Sequence, residues 1–141
     1  MKLANIIVDK MLRGDAFSKW LGIEILEISN GYCKLKMQVR KEMTNGFNIA
    51  HGGITYSLAD SALAFAANSY GLQSLSIETS INHKKKVMNG DTLIAETKEV
   101  EKKEKIASYV INIVNQEGIE VAEFNGKVYI TKNKWFKKWK T

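Results

Sequence analysis

The chain has 141 residues, 45% of them hydrophobic and 26% charged, which suits one globular domain with its own core and excludes a disordered or fibrous polymer. Its single cysteine rules out an intramolecular disulfide and a cysteine-built metal site. The formal net charge of +6 favours anionic partners, yet much of it sits at Lys84, Lys85 and Lys86 and in the tail 132–141, without a nucleic-acid-binding module. No apolar run is pure or long enough to span a bilayer, and Asp9 interrupts the N-terminal stretch before a secretory segment develops, so a cytoplasmic location is expected.

Apolar residues Leu3, Ile6, Ile7 and Met11 recur at near-helical spacing and predict a short N-terminal helix over 3–13. Strands follow near 23–28 and 32–40, joined by the turn dipeptide Asn30-Gly31. In the second strand Cys33, Leu35, Met37 and Val39 alternate with polar residues, which puts the cysteine on a buried face as a structural residue. A turn-rich stretch (Thr44-Asn45-Gly46-Phe47-Asn48) leads to a long helix at about 52–70, with Gly71 expected as its C-cap. Four further strands are predicted at 74–83, 91–101, 105–115 and 120–131, with turns at Asn89-Gly90 and at Glu117-Gly118. The order helix, two strands, long helix, four strands predicts an α+β fold: about six mostly antiparallel strands wrapped around one central helix. Residues 1–141 read as a single domain with its core at about 15–131. The basic tail carries Trp135 and Trp139 at i, i+4 spacing, as a docked terminal helix would.

The run 54–70 contains one charged residue, Asp60. A carboxylate in an apolar helix costs free energy unless it is paired, so it is retained either for a partner or for chemistry. The helix is entered through His51-Gly52-Gly53, where the first amides have no intrahelical acceptor and carry the positive end of the dipole. Glycines let a ligand approach those amides, and a polarised carbonyl oxygen suits them; a plain tight turn explains the same dipeptide. Gly52 and Asp60 are eight residues apart, about 12 Å along the axis, too far to grip one reacting group within a chain. Two antiparallel copies at a two-fold interface bring Gly52 of one near Asp60 of the other, so a site built from both requires at least a dimer. Asn45 ahead of the helix serves equally as a turn former or as a hydrogen-bonding group near the glycine. His51 and His83 lack neighbours at metal-ligand spacing, and no metal is expected. Apolar neighbours raise the pKa of Asp60 and a partner helix start lowers it; the sequence leaves both open. Phe47, Tyr56, Phe65 and Tyr70 are alternative candidates for lining a ligand pocket or packing elsewhere.

Taken together, Asn45-Gly-Phe-Asn-Ile-Ala-His51-Gly52-Gly53, then Leu58-Ala59-Asp60, then Asn68-Ser-Tyr-Gly71, resembles the signature of hotdog-fold acyl-CoA thioesterases of the phenylacetate-degradation (PaaI-like) family, across roughly residues 15–131. The resemblance implies a homotetramer assembled from homodimers, with active sites at the dimer interface and no cofactor. It implies a catalytic carboxylate at Asp60, acting as nucleophile or as general base, and a carbonyl-polarising amide at Gly52. Asn45 and His51 match supporting residues, and Ser76 matches a serine that positions water. Gly53 and Ser61 adjoin these groups as substrate-binding positions. Lys84 and Lys85 either meet the phosphates of coenzyme A or form a solvated strand end. The family often carries Arg-Pro where this chain has Lys85-Lys86, before the matching Gly90-Asp91. The implied substrate is an acyl-CoA or an acyl-carrier-protein thioester, with no nucleic-acid partner. A non-catalytic acyl-CoA-binding hotdog module is the alternative. A hotdog dehydratase or hydratase fits less well, because such enzymes pair a histidine with an acid differently and Asp60 begins no Asp-x4-His: after four intervening residues comes Phe65. The remaining rival is a basic surface protein whose Trp135, Trp139 and lysines bind membrane or nucleic acid, against which the i, i+4 aromatic pair fits a docked terminal helix.

Overall fold

The computed structural model describes residues 2–137. Helix α1 (Leu3–Gly14) turns Ala4, Ile7 and Val8 inward. A second helix that the periodicity does not announce, α2 (Ala16–Leu21), follows at once. Its six residues are too few for a repeat to emerge, but its ends are marked: the Asp15 side chain accepts from Ser18 N–H, and Gly22 leaves the helix at φ 76°. Arg40 closes the same helix by donating to the carbonyls of Trp20 (2.7 Å) and Leu21 (3.3 Å), with its guanidinium 4.9 Å from the Trp20 ring centre.

Strands β1 (Glu24–Ser29) and β2 (Tyr32–Gln38) form the expected hairpin, and a 3-10 turn at Lys41–Met43 leads into the loop before helix α3 (Gly52–Asn68). Then come β3 (Leu72–His83), β4 (Thr92–Lys102), β5 (Ile106–Val114) and β6 (Glu120–Lys134). One six-stranded sheet results, in the order β1-β2-β4-β5-β6-β3, and every neighbouring pair is antiparallel. Period-two alternation sends Cys33, Leu35 and Met37 of β2, and Ala107, Tyr109, Ile111 and Ile113 of β5, to the face that receives α3. Leu58, Leu63 and Phe65 of α3 are almost fully buried there, each stabilising the fold by about 1.5–3 kcal/mol. Cys33 lies within this core, and burial pushes its thiol pKa up, as expected for a structural cysteine.

Two boundaries differ from the sequence expectation. Helix α3 ends at Asn68 with Ser69 as its C-cap; Gly71 lies beyond it at φ 115° and serves the turn into β3. The start of the tail is strand, since β6 runs to Lys134, and the expected terminal helix is not formed over the described residues. Trp135 docks instead: its backbone N–H reaches Gly71 O (3.0 Å) and its indole N–H reaches Asn68 Oδ1 (2.9 Å). Trp139 lies outside the described residues. Among the described residues no helix is long and apolar enough to cross a membrane.

Candidate active site

The loop ahead of α3 is folded on itself by Asn45. Its N–H reaches Ile49 O (2.8 Å), and its side-chain Oδ1 accepts from Phe47 N–H (2.9 Å). Asn48 takes the left-handed conformation (φ 61°), which a short polar residue tolerates. Two backbone bonds, Ala50 N–H to Val87 O (2.7 Å) and His51 N–H to Met43 O (2.8 Å), then fix where the helix begins. His51 is the N-cap: its ring Nδ1 accepts from Gly53 N–H (3.2 Å), and its carbonyl accepts from Ile54 N–H (2.8 Å). The Gly53 amide is thus engaged. Gly52 N–H is exposed and has no partner among the described residues.

Against this helix start opens a cavity of about 380 Å³, lined by Asn45, Gly52, Thr55, His83, Lys85 and Lys86 among others. His83 has no neighbour at ligand spacing in the sequence; the β3 ladder carries it to the glycine. Its Nε2 sits 3.4 Å from where a Cβ on Gly52 would be. Thr55 Oγ1 donates to the Gly52 carbonyl (3.1 Å) and also meets His83 Nδ1 (3.4 Å). Local spacing gives no hint of this contact, because 28 residues separate Thr55 from His83.

The three lysines differ. Lys84 bonds to Glu120 (2.5 Å) and lies 3.9 Å from Glu123; the Glu120 bond, then the surrounding charge, holds its ammonium pKa above the ordinary value. Lys85 and Lys86 are exposed at the cavity and form no ion pair among the described residues.

Asp60 is elsewhere. Two turns into α3, it is half-buried, and its side chain makes no hydrogen bond or ion pair among the described residues. Burial holds its carboxyl above the ordinary carboxylate pKa, and the nearby Asp15 charge adds to that rise. The next residue, Ser61, meets Ser18 of α2, Oγ to Oγ at 2.8 Å. Ser76 lies on β3, exposed, opposite Val128 in the ladder. The fold therefore gathers Asn45, His51, Gly52, Gly53, Lys84 and Lys85 at one end of α3, while Asp60 and Ser61 stand apart with α2. Of the aromatic candidates, Phe65 is core, Tyr70 donates to Glu99 (2.9 Å), Tyr56 packs edge-on to Phe124, and Phe47 is 84% exposed.

The family model of the thioesterase superfamily matches residues 47–122, a span that runs from the glycine loop through α3 into β6. A curated relative from Archaeoglobus fulgidus is 42% identical over 128 residues, 91% of this chain and 83% of its own. The acyl-coenzyme A thioesterase PaaI of Escherichia coli is 38% identical over 117 residues, 83% of this chain and 84% of its own. The solved structure of the E. coli PaaI protein superposes with a TM-score of 0.91 at 35% identity, covering 93% of this chain and 95% of that one. A "Hypothetical Thioesterase Protein" of Streptococcus pneumoniae, solved with coenzyme A, gives a TM-score of 0.76 at 25% identity over 79% of this chain and 90% of its own. With its order of strands around one central helix, this chain belongs to the thioesterase superfamily, as a hotdog-fold, PaaI-like thioester hydrolase.

Proposed function

We propose that the protein hydrolyses acyl-coenzyme A thioesters at a site shared by two antiparallel copies of α3. The observation that carries this reading is the pairing of an exposed Gly52 N–H with a half-buried Asp60 carboxyl, neither with a hydrogen-bond partner among the described residues, about 12 Å apart on one rigid helix. Each is incomplete alone, and a two-fold axis supplies each with the other. Strand β3 ends the sheet with a free edge and exposes Leu75 (66%) and Ile77 (55%), which favours burial against a second copy, as does the exposed Phe47. A homodimer is the minimum assembly, and a dimer of dimers fits the family resemblance.

Chemically, little machinery is needed, because a thioester is an activated acyl donor with a good leaving group. The carbonyl oxygen accepts from Gly52 N–H, which stabilises the negative charge that develops as the carbonyl carbon is attacked. As general base, Asp60 of the partner subunit takes a proton from water while the water oxygen bonds to that carbon. As nucleophile, its own oxygen bonds there first, and water then cleaves the resulting anhydride. Either way the C–S bond breaks with its electron pair on sulfur, and the thiolate takes up a proton, giving a carboxylic acid and the free thiol. Asn45 and His51 hold the loop so that the glycine amide stays exposed, and Ser76 is assigned to the attacking water. Lys85, with Lys86 beside it, is better placed for the phosphates of coenzyme A than Lys84, whose charge is already matched by Glu120.

The test is thiol release from short, medium, long and aryl acyl-CoAs by wild type and by Asp60→Asn. Hydrolysis by wild type and a loss of at least about a hundredfold in the variant are expected. Equal rates would remove Asp60 from the chemistry, and no turnover of any thioester, with binding retained, would make the protein an acyl-CoA-binding module.

A further inference from the structure

Resting on the reading of Asp60 as the catalytic carboxylate, we propose that Asp15 and Ser18 are positioning residues for it: they form a hydrogen-bonded strut from the start of α2 to Ser61, the residue that follows Asp60. The direction of the strut is fixed by counting protons. A carboxylate only accepts, so Ser18 O–H donates to Asp15 Oδ2 (2.5 Å), while Ser18 N–H donates to Oδ1 (3.0 Å). Ser18 has then spent its one hydroxyl proton, so in its contact with Ser61 (2.8 Å) it accepts, and Ser61 is the donor. Ser18 is almost fully buried, so water competes little for these bonds. Ser61, expected to contact substrate, has its proton committed inward instead. Its place in the fold is to tie the Asp60 turn of α3 to α2.

The same arrangement brings a second carboxylate toward Asp60, and Asp15 is the charged side chain whose field acts on it. Charged groups on the neighbouring elements have partners of their own. Lys19 of α2 donates to the Arg13 carbonyl, Arg13 of α1 pairs with Asp9 (3.4 Å), and Glu99 from the sheet accepts from Tyr70 and Tyr109 (2.8 Å). Helix α3 carries no other charged residue. Strut and charge are separable by substitution: Asp15→Asn keeps an acceptor for the α2 cap and removes the charge, whereas Ser61→Ala keeps the charge and cuts the strut.

The experiment is the pH dependence of kcat/KM, with kcat and KM resolved, for wild type, Asp15→Asn, Ser61→Ala, Ser61→Thr and Asp60→Asn, all checked for cooperative thermal unfolding. Loss of the like charge should move the acid limb of Asp15→Asn to lower pH. Ser61→Ala should lower kcat roughly tenfold with little change in KM, since misorientation acts on the reacting geometry, and Ser61→Thr should restore it. Wild-type kcat in Ser61→Ala together with an unmoved limb in Asp15→Asn, while Asp60→Asn is inactive, would overturn this inference and leave the proposed function standing. Full activity in Asp60→Asn would instead overturn the proposed function, and the strut with it.

Discussion

Gly52→Pro removes one N–H and sets a ring methylene in its place. Proline lacks the amide proton, and the fold makes no use of this one, since Gly52 N–H has no partner among the described residues. The local backbone already accepts the ring. Gly52 opens α3, where proline is favoured, and His51 before it is extended (φ −57°, ψ 139°), as the residue ahead of proline must be. The new Cβ would stand 3.4 Å from His83 Nε2, the near limit of ordinary contact. Stability should therefore change by less than about 1 kcal/mol, read as a urea midpoint at fixed protein concentration. Loss of an oxyanion donor costs on the order of 3–4 kcal/mol, so kcat should fall roughly 100- to 1000-fold. Gly52→Ala, which keeps the N–H, should stay within about tenfold of wild type by the same reasoning. A fully active Gly52→Pro enzyme, or equal losses in the two variants, would refute the role given to the amide.

Three further outcomes are expected. In Gly126→Ala the added methyl would sit 2.5 Å from Leu63 Cδ2 in a filled core, so the variant should lose about 0.5–2 kcal/mol in urea unfolding, and Leu63→Ala should largely absorb the effect in a double-mutant cycle. Lys85→Ala should raise KM for acyl-CoA several-fold, roughly in line with one exposed phosphate contact, and more at low salt than at high; Lys84→Ala, whose charge is held by Glu120, should do so less, as steady-state kinetics at two ionic strengths would measure. The acid limb of kcat/KM should lie above the ordinary carboxylate range: burial and then Asp15 raise the Asp60 pKa, so the active, ionised form is present above that raised value and lost as pH falls through it.

Long-period features were legible in the sequence. Six alternating strands, the two-residue turn at Asn30-Gly31 and the long helix each repeat a pattern over enough residues to stand out, and the structure reproduces their order. The short helix α2 escaped because six residues hold less than two turns; its signal was the pair of ends, Asp15 and Gly22. Candidate residues close in sequence, from Asn45 to Gly53, do meet in space. His83 reaches Thr55, and Ser18 reaches Ser61, only through the return of β3 and the packing of α2, contacts that separations of 28 and 43 residues conceal from any local rule. Trp135 is a related case. The i, i+4 spacing of aromatic residues suggests a helix, but its backbone bond to Gly71 extends the pairing of β6 with β3 and its indole bond ties it to Asn68 at the end of α3.

A site split across two chains has a consequence that a site within one chain lacks. Gly52→Pro and Asp60→Asn each disable both sites of a homodimer, because every site needs one intact residue from each copy. In a mixed dimer the defects segregate: one site receives both, while the other combines Gly52 from the Asp60→Asn chain with Asp60 from the Gly52→Pro chain and is whole. Equal amounts of the two inactive proteins, unfolded and refolded together, form mixed dimers about half the time, so about one quarter of the wild-type sites should return. Refolding each variant alone gives the baseline, and thiol release is the readout. The same fraction holds for a dimer of dimers, since each site still draws on a single pair. Were Gly52 and Asp60 to serve one site within a single chain, no mixture would recover activity, and such a result would refute the shared site even if both residues proved essential.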